Sequence, residues 1–202
     1  MSAHGTKPGR FPVTPVRFWS NLVGYQLVWF ATVVGAGRGL TWPALAATAV
    51  FAAWQLSVAA RRGLELRLAA TALALGVLLE GGLAASGLLR YGAATPALPE
   101  GGAPVWILAL WVAFSLTITQ SLGWLQGRPW TGALLGAVGA PMAYLGASRG
   151  WDAVAFAQPL WPALLCLGLG WALAIPLLSG LALRWSERPP RPALRAWDGS
   201  LR

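Results

Sequence analysis

The sequence predicts an all-α polytopic membrane protein, a bundle of six transmembrane helices with both termini in the cytoplasm. Three observations predict it: an apolar composition, six apolar runs of spanning length, and a lopsided distribution of basic residues. Of 202 residues, 56% are hydrophobic and 10% charged, with a mean hydropathy of +0.58. Soluble domains run to about 45–50% apolar and about 25% charged. The formal charge of +9 does not point to nucleic acid, because the basic residues sit between apolar runs and form no stripe on one soluble face.

The chain opens with a polar, proline-punctuated cytoplasmic arm over residues 1–17. The transmembrane domain is expected over 18–184, with helices at about 18–37, 42–60, 68–89, 104–126, 131–148 and 162–183. Each such run of about 18–23 residues can cross a ~30 Å hydrocarbon core at 1.5 Å per residue. The first run carries Asn21, Gln26 and Trp29, which make a poor signal-peptide core, so it reads as a helix. Pro43 suits the first turn of helix two, where a missing N–H costs nothing. An Arg/Pro-rich tail, 185–202, is too short for a domain and reads as a solvated anchor near anionic headgroups.

Placing the lysines and arginines on alternate sides puts twelve with the termini and three, Arg38, Arg90 and Arg149, on the other side. By the positive-inside rule the termini are cytoplasmic. Trp42, Trp106, Trp151 and Trp161 fall at the outer boundary and Trp19, Trp124, Trp130 and Trp185 at the inner one, as an interfacial indole belt requires.

Little in the chain carries recognisable chemistry. Cys166 is the one cysteine and His4, in the polar arm, the one histidine, so no metal site and no cofactor is expected. Phosphate-loop, zinc-protease and serine-hydrolase motifs are absent from the sequence. Glu80 is the one acidic residue inside an expected span. A carboxylate there costs ~2.5–3.5 kcal/mol on insertion scales, so it should face other helices. Its partners must be neutral groups such as Gln26, Gln120, Tyr25 or Ser121. It reads either as a buried acid with a functional role or as a hydrogen-bonding tie between helices.

On helix four, Thr117, Gln120, Ser121 and Trp124 recur at i, i+3, i+4 and i+7, one helical face. Helix one offers Leu22, Tyr25, Gln26 and Trp29, with Asn21 alongside. Polar stripes in hydrocarbon should turn toward each other. The plainer reading is hydrogen bonding between helices. The alternative is a polar-floored, aromatic-walled cavity opening toward the cytoplasmic leaflet. Helix five has a small-residue seam, Gly132, Gly136 and Ala140 with Gly139 beside them, followed by a proline kink at Pro141 just before Tyr144.

The stretches FWSNLVGYQLVWFATVVGAG, LLEGGLAASGLLRYG, PVWILALWVAFSLTITQSLGWL and RPWTGALLGAVGAPMAYLGASRG together resemble an uncharacterised family of small bacterial inner-membrane proteins, classed as a domain of unknown function. The resemblance runs from about Phe18 to Leu183 and is most specific across helices four and five. It implies a multi-pass protein of the bacterial inner membrane, with no established activity. It also implies an acidic residue at the position of Glu80, and recurrent polar and aromatic positions at Asn21, Gln26, Trp124 and Pro141. Gln120 stands where the resemblance implies a histidine, which speaks against acid–base catalysis at the stripe. Members of the family tend to be encoded near lipid-modifying enzymes, which implies a lipid or isoprenoid connection.

The expected function is a non-enzymatic, lipid-linked one: binding, moving or scaffolding at a polar intramembrane site. An intramembrane enzyme acting on a lipid or isoprenoid, with Glu80 as general acid, is the first alternative. A proton-coupled carrier of small molecules is the second. The candidate site residues are Asn21, Tyr25, Gln26, Trp29, Glu80, Thr117, Gln120, Ser121, Trp124 and Tyr144. Membrane lipids are the expected partners, a membrane-protein partner stays open, and nucleic acid is not expected.

Overall fold

The computed structural model describes residues 13–186, so the first twelve residues of the expected arm and residues 187–202 of the expected tail lie outside the described residues. Six α-helices account for most of the described chain: α1 (Pro15–Gly37), α2 (Trp42–Val58), α3 (Arg62–Ala85), α4 (Val105–Ser115), α5 (Pro129–Trp151) and α6 (Trp161–Ser186). Two of them, α3 and α6, are long and apolar enough to cross a membrane.

Local chemistry accounts for the helix ends. Thr14 caps α1 by accepting the Arg17 amide at 3.3 Å, and Pro15 opens the first turn. Proline also stands in the first turn of α2 and α5. Helix α3 begins at Arg62 and stops at Ala85, where the sequence predicts 68–89, and Gly87 turns the chain with φ +70°. Leu89 therefore belongs to a strand, β1 (Leu89–Tyr91), which pairs antiparallel with β4 (Val154–Phe156). A second small pairing joins β2 (Ala97–Leu98) to β3 (Ala103–Pro104). These strands of two or three residues show no alternation long enough to read from sequence.

The largest departure is the fourth helix. A single helix over 104–126 is predicted, yet α4 ends at Ser115 and the chain continues as turns to a short 3-10 segment, Gly123–Leu125. At 1.5 Å per residue α4 is about 16 Å long, roughly half of a ~30 Å core. The break has a local cause and a distant one. The Ser115 hydroxyl donates to the Val112 carbonyl and the Thr117 hydroxyl to the Phe114 carbonyl, both at 2.7 Å, drawing carbonyls away from the helix ladder. From α1, Asn21 donates to the Leu116 carbonyl at 3.2 Å and accepts from the Ser121 amide and hydroxyl. From α3, Glu65 accepts the Thr119 hydroxyl at 2.6 Å. The irregular backbone is thus satisfied within its own turns and, at Leu116 and Ser121, by Asn21, as irregular chain buried in protein must be.

Helix α4 sits in the middle of the bundle, with every residue from Trp106 to Ser115 buried except Val112. Gly76 of α3 lets the Trp111 ring lie flat on its backbone, since a Cβ there would come within 2.8 Å of the indole. Helices α5 and α6 pack closely. A Cβ on Gly136 would overlap the Trp171 carbonyl, and one on Gly132 would press on Ile175. By contrast, a Cβ on Gly139 meets only Leu135 Cδ1, at 4.0 Å.

Substituting Gly136 with leucine should force α5 from α6 and destabilise the fold by at least ~2 kcal/mol, because the obstacle is backbone and cannot move aside. Leucine at Gly139 should change stability little. Thermal unfolding of both variants in the same detergent checks the contrast.

Candidate functional site

Two features stand out: a buried carboxyl cluster and a cavity that shares its wall. Glu80, on α3, is fully buried. Its Oε1 accepts the Tyr144 hydroxyl at 2.6 Å and the Trp111 indole N–H at 2.9 Å, and its Oε2 accepts the Tyr91 hydroxyl at 2.8 Å. The donors come from α5, α4 and β1. The sequence expectation of Gln26, Gln120, Tyr25 or Ser121 as partners is therefore corrected. Of the three actual partners only Tyr144 was a candidate. Tyr91 and Trp111 carry the missed signal: aromatic rings with a polar handle, which when buried need a hydrogen-bond partner.

The cavity measures about 520 Å³, within the ~300–1,000 Å³ range of ligand pockets. Its front wall is α1, through Leu22, Tyr25, Gln26 and Trp29. Its back wall is α4, through Ile107, Leu110, Trp111 and Phe114, and α6, through Trp171 and Ile175. Opposite α1 stands α5, from Leu135 to Tyr144, and Thr117, Ser121 and Leu122 close one end. Trp111 stacks on Trp171 at 4.1 Å between centroids, and Phe114 stands edge-on to Trp171 and to Tyr25. The walls are thus aromatic and interlocked.

Helices α1 and α5 meet at their C-terminal ends. A Cβ on Gly37 would overlap the Trp151 carbonyl, and the Trp151 ring stands edge-on to Trp29 and Phe30 at 5.8 and 5.7 Å. From that junction both helices run back toward their N-termini with the cavity between them. Gln26 on α1 and Leu135, Gly139 and Met142 on α5 line it while exposed, so the mouth opens sideways between these two helices.

A family of proteins described as "Protein of unknown function (DUF2878)" matches residues 18–177. The chain belongs to that family. No curated protein and no solved structure matches it. The matched region of this DUF2878 protein takes in every residue lining the cavity, from Leu22 to Ile175, and the whole Glu80 cluster.

The candidate residues of this DUF2878 member divide by position. Tyr25, Gln26, Trp29, Thr117, Ser121 and Tyr144 line the cavity. Asn21 is buried behind it, holding Ser121 and Leu116. Glu80 is also behind the wall, and reaches the cavity through Trp111 and Tyr144, which line it. Gln120 faces a different, smaller cavity, and Trp124 is exposed. The helix-four stripe is corrected accordingly, because with α4 ending at Ser115 its four residues share no helical face. Ile107, Leu110, Trp111, Phe114, Gly139, Ala140 and Trp171 are cavity residues that sequence reasoning missed, since apolar periodicity does not separate a cavity wall from a packed core.

A Glu80→Gln change should be tolerated. The new carbonyl can accept from Tyr144 and Trp111, while the amide donates to Tyr91, whose proton can turn to the Glu80 backbone carbonyl 3.4 Å away. Glu80→Ala leaves the buried Tyr144 and Trp111 donors unpaired at ~1–3 kcal/mol each, while Tyr91 keeps the residue-80 backbone carbonyl. Melting temperatures should therefore fall steeply for alanine and slightly for glutamine.

Proposed function

We propose that this protein is a six-span protein of the bacterial inner membrane, termini in the cytoplasm, that binds the apolar chain of an uncharged amphiphile such as a lipid or isoprenoid. The observation that carries the reading is the sideways mouth of an aromatic-walled cavity between α1 and α5. Large apolar side chains are exposed on five helices, among them Leu27, Val50, Leu78, Leu134 and Leu173. A patchwork of that extent favours a bilayer around the bundle over water. In a bilayer, a mouth between two outer helices opens onto acyl chains, and a ligand enters without crossing water.

Among the described residues, the lining holds no charged side chain. Its polar lining residues include Tyr25, Gln26, Thr117, Ser121 and Tyr144. The Thr117 and Ser121 hydroxyl protons are already donated to Phe114 and Asn21, so these oxygens offer lone pairs, while the Gln26 amide offers both functions. A neutral hydroxyl or carbonyl end group suits that set. The enzymatic alternative has less support, because the two carboxyl oxygens of Glu80 already accept from Tyr91, Trp111 and Tyr144 and Glu80 does not itself line the cavity.

Native mass spectrometry of protein extracted from membranes should find a retained neutral lipid or isoprenoid. Gly139→Phe, at a position with open space beside it, should reduce retention about tenfold or more by filling the mouth. Equal retention by wild type and variant would refute the reading. For the topology, a carboxy-terminal fusion should be fluorescent with green fluorescent protein and inactive with alkaline phosphatase. The reverse pattern would place the termini outside.

A further inference from the structure

Thr119 and Gln120, which interrupt the cavity-lining residues Thr117 and Ser121, turn instead into a second cavity of about 140 Å³. Arg17, at the start of α1, and Arg61, in the turn between α2 and α3, line it with Glu65 of the first turn of α3. Glu65 is 5% exposed. Its Oε1 accepts the Thr119 hydroxyl, and its Oε2 is buried with no hydrogen-bond partner among the described residues. A buried carboxyl oxygen without a donor is costly, and Glu65 is one of the residues lining a space large enough for a ligand group. Arg17 is exposed at the rim, and the Arg61 guanidinium, also donating to the Ser186 carbonyl, borders the same space.

The two ends of this cavity ask for opposite things. The Glu65 oxygen lacks a donor, which a primary ammonium supplies. The arginines match a phosphate. A phosphate ester carrying a primary ammonium meets both. We propose that this second cavity binds the headgroup of an aminophospholipid, its ammonium donating to Glu65 and its phosphate held by Arg17 and Arg61. In the six-span arrangement residues 17, 61–65 and 119–120 fall at the end where the basic residues concentrate, the level of the cytoplasmic headgroups. The inference rests on that membrane reading and is independent of the cavity between α1 and α5.

The test is retention of lipid by the purified full-length chain, equilibrated with equal amounts of phosphatidylethanolamine, phosphatidylcholine and phosphatidylglycerol and read by native mass spectrometry. Wild type should retain phosphatidylethanolamine about fivefold or more over the others, since a quaternary ammonium cannot donate and a glycerol headgroup has no cation. Glu65→Gln, which keeps an acceptor for Thr119, should melt near wild type and lose the preference. Arg17→Ala should weaken both phosphatidylethanolamine and phosphatidylglycerol. Gly139→Phe should keep the preference, and its loss there would move the selectivity to the first cavity and overturn the assignment. Equal retention of the three lipids by wild type, or a preference that survives Glu65→Gln, would also overturn it. So would binding of soluble phosphoethanolamine without enrichment of the lipid.

Discussion

Three hydrogen-bond donors from three different elements converge on one buried carboxyl, that of Glu80, and each donor sits on an aromatic ring that shapes something else. Tyr91 lies on β1, which pairs with β4, so the cluster ties α3 to the small sheet. Trp111 lies on the central helix and stacks on Trp171 of α6. Tyr144 lies on α5, three residues beyond the proline that interrupts its ladder. Such a network is costly when half satisfied and specifying when complete, because each donor must reach the one buried carboxyl. Two of its three rings also form the cavity wall, so the same carboxyl that joins the elements sets the shape of the space between them.

The central helix shows the same economy of partners. An apolar helix buried on nearly every side needs little from its sequence except volume, and α4 is built that way. Where it ends, the chain turns polar, and side chains add bonds to those its turns make within the segment. Asn21 supplies three of them, Glu65 another, and Gln126 donates to the Ile118 carbonyl. The irregular segment therefore separates two cavities of different character. One side presents hydroxyl lone pairs to an apolar space, and the other presents Thr119 and Gln120 to a space bordered by Glu65 and two arginines.

Helix α5 divides its small residues between two tasks. Gly132 and Gly136 bring α6 close, Gly139 has space beside it, and Gly136, Gly139 and Ala140 line the cavity. In sequence these four positions look like one small-residue seam. The difference is made by the neighbour. A second helix fills the groove in one place, and in the other α1 has diverged after meeting α5 at the Trp151 junction.

By itself the sequence determined the all-helical class, the membership of an uncharacterised family and the position of four of the six helices to within three residues, because hydropathy, proline and glycine act over neighbouring residues. It also singled out Glu80 as a residue in need of partners. Only the tertiary structure decided who those partners are, that α4 stops at Ser115, and that Thr117 and Gln120 face different spaces. The bonds responsible join residues far apart in the chain, 64 positions for Tyr144 to Glu80 and 100 for Ser121 to Asn21. A helical period cannot report such a pairing, since it records which residues share a face only as long as the helix continues, and Asn21 and Glu65, which bond the chain beyond α4, come from other helices.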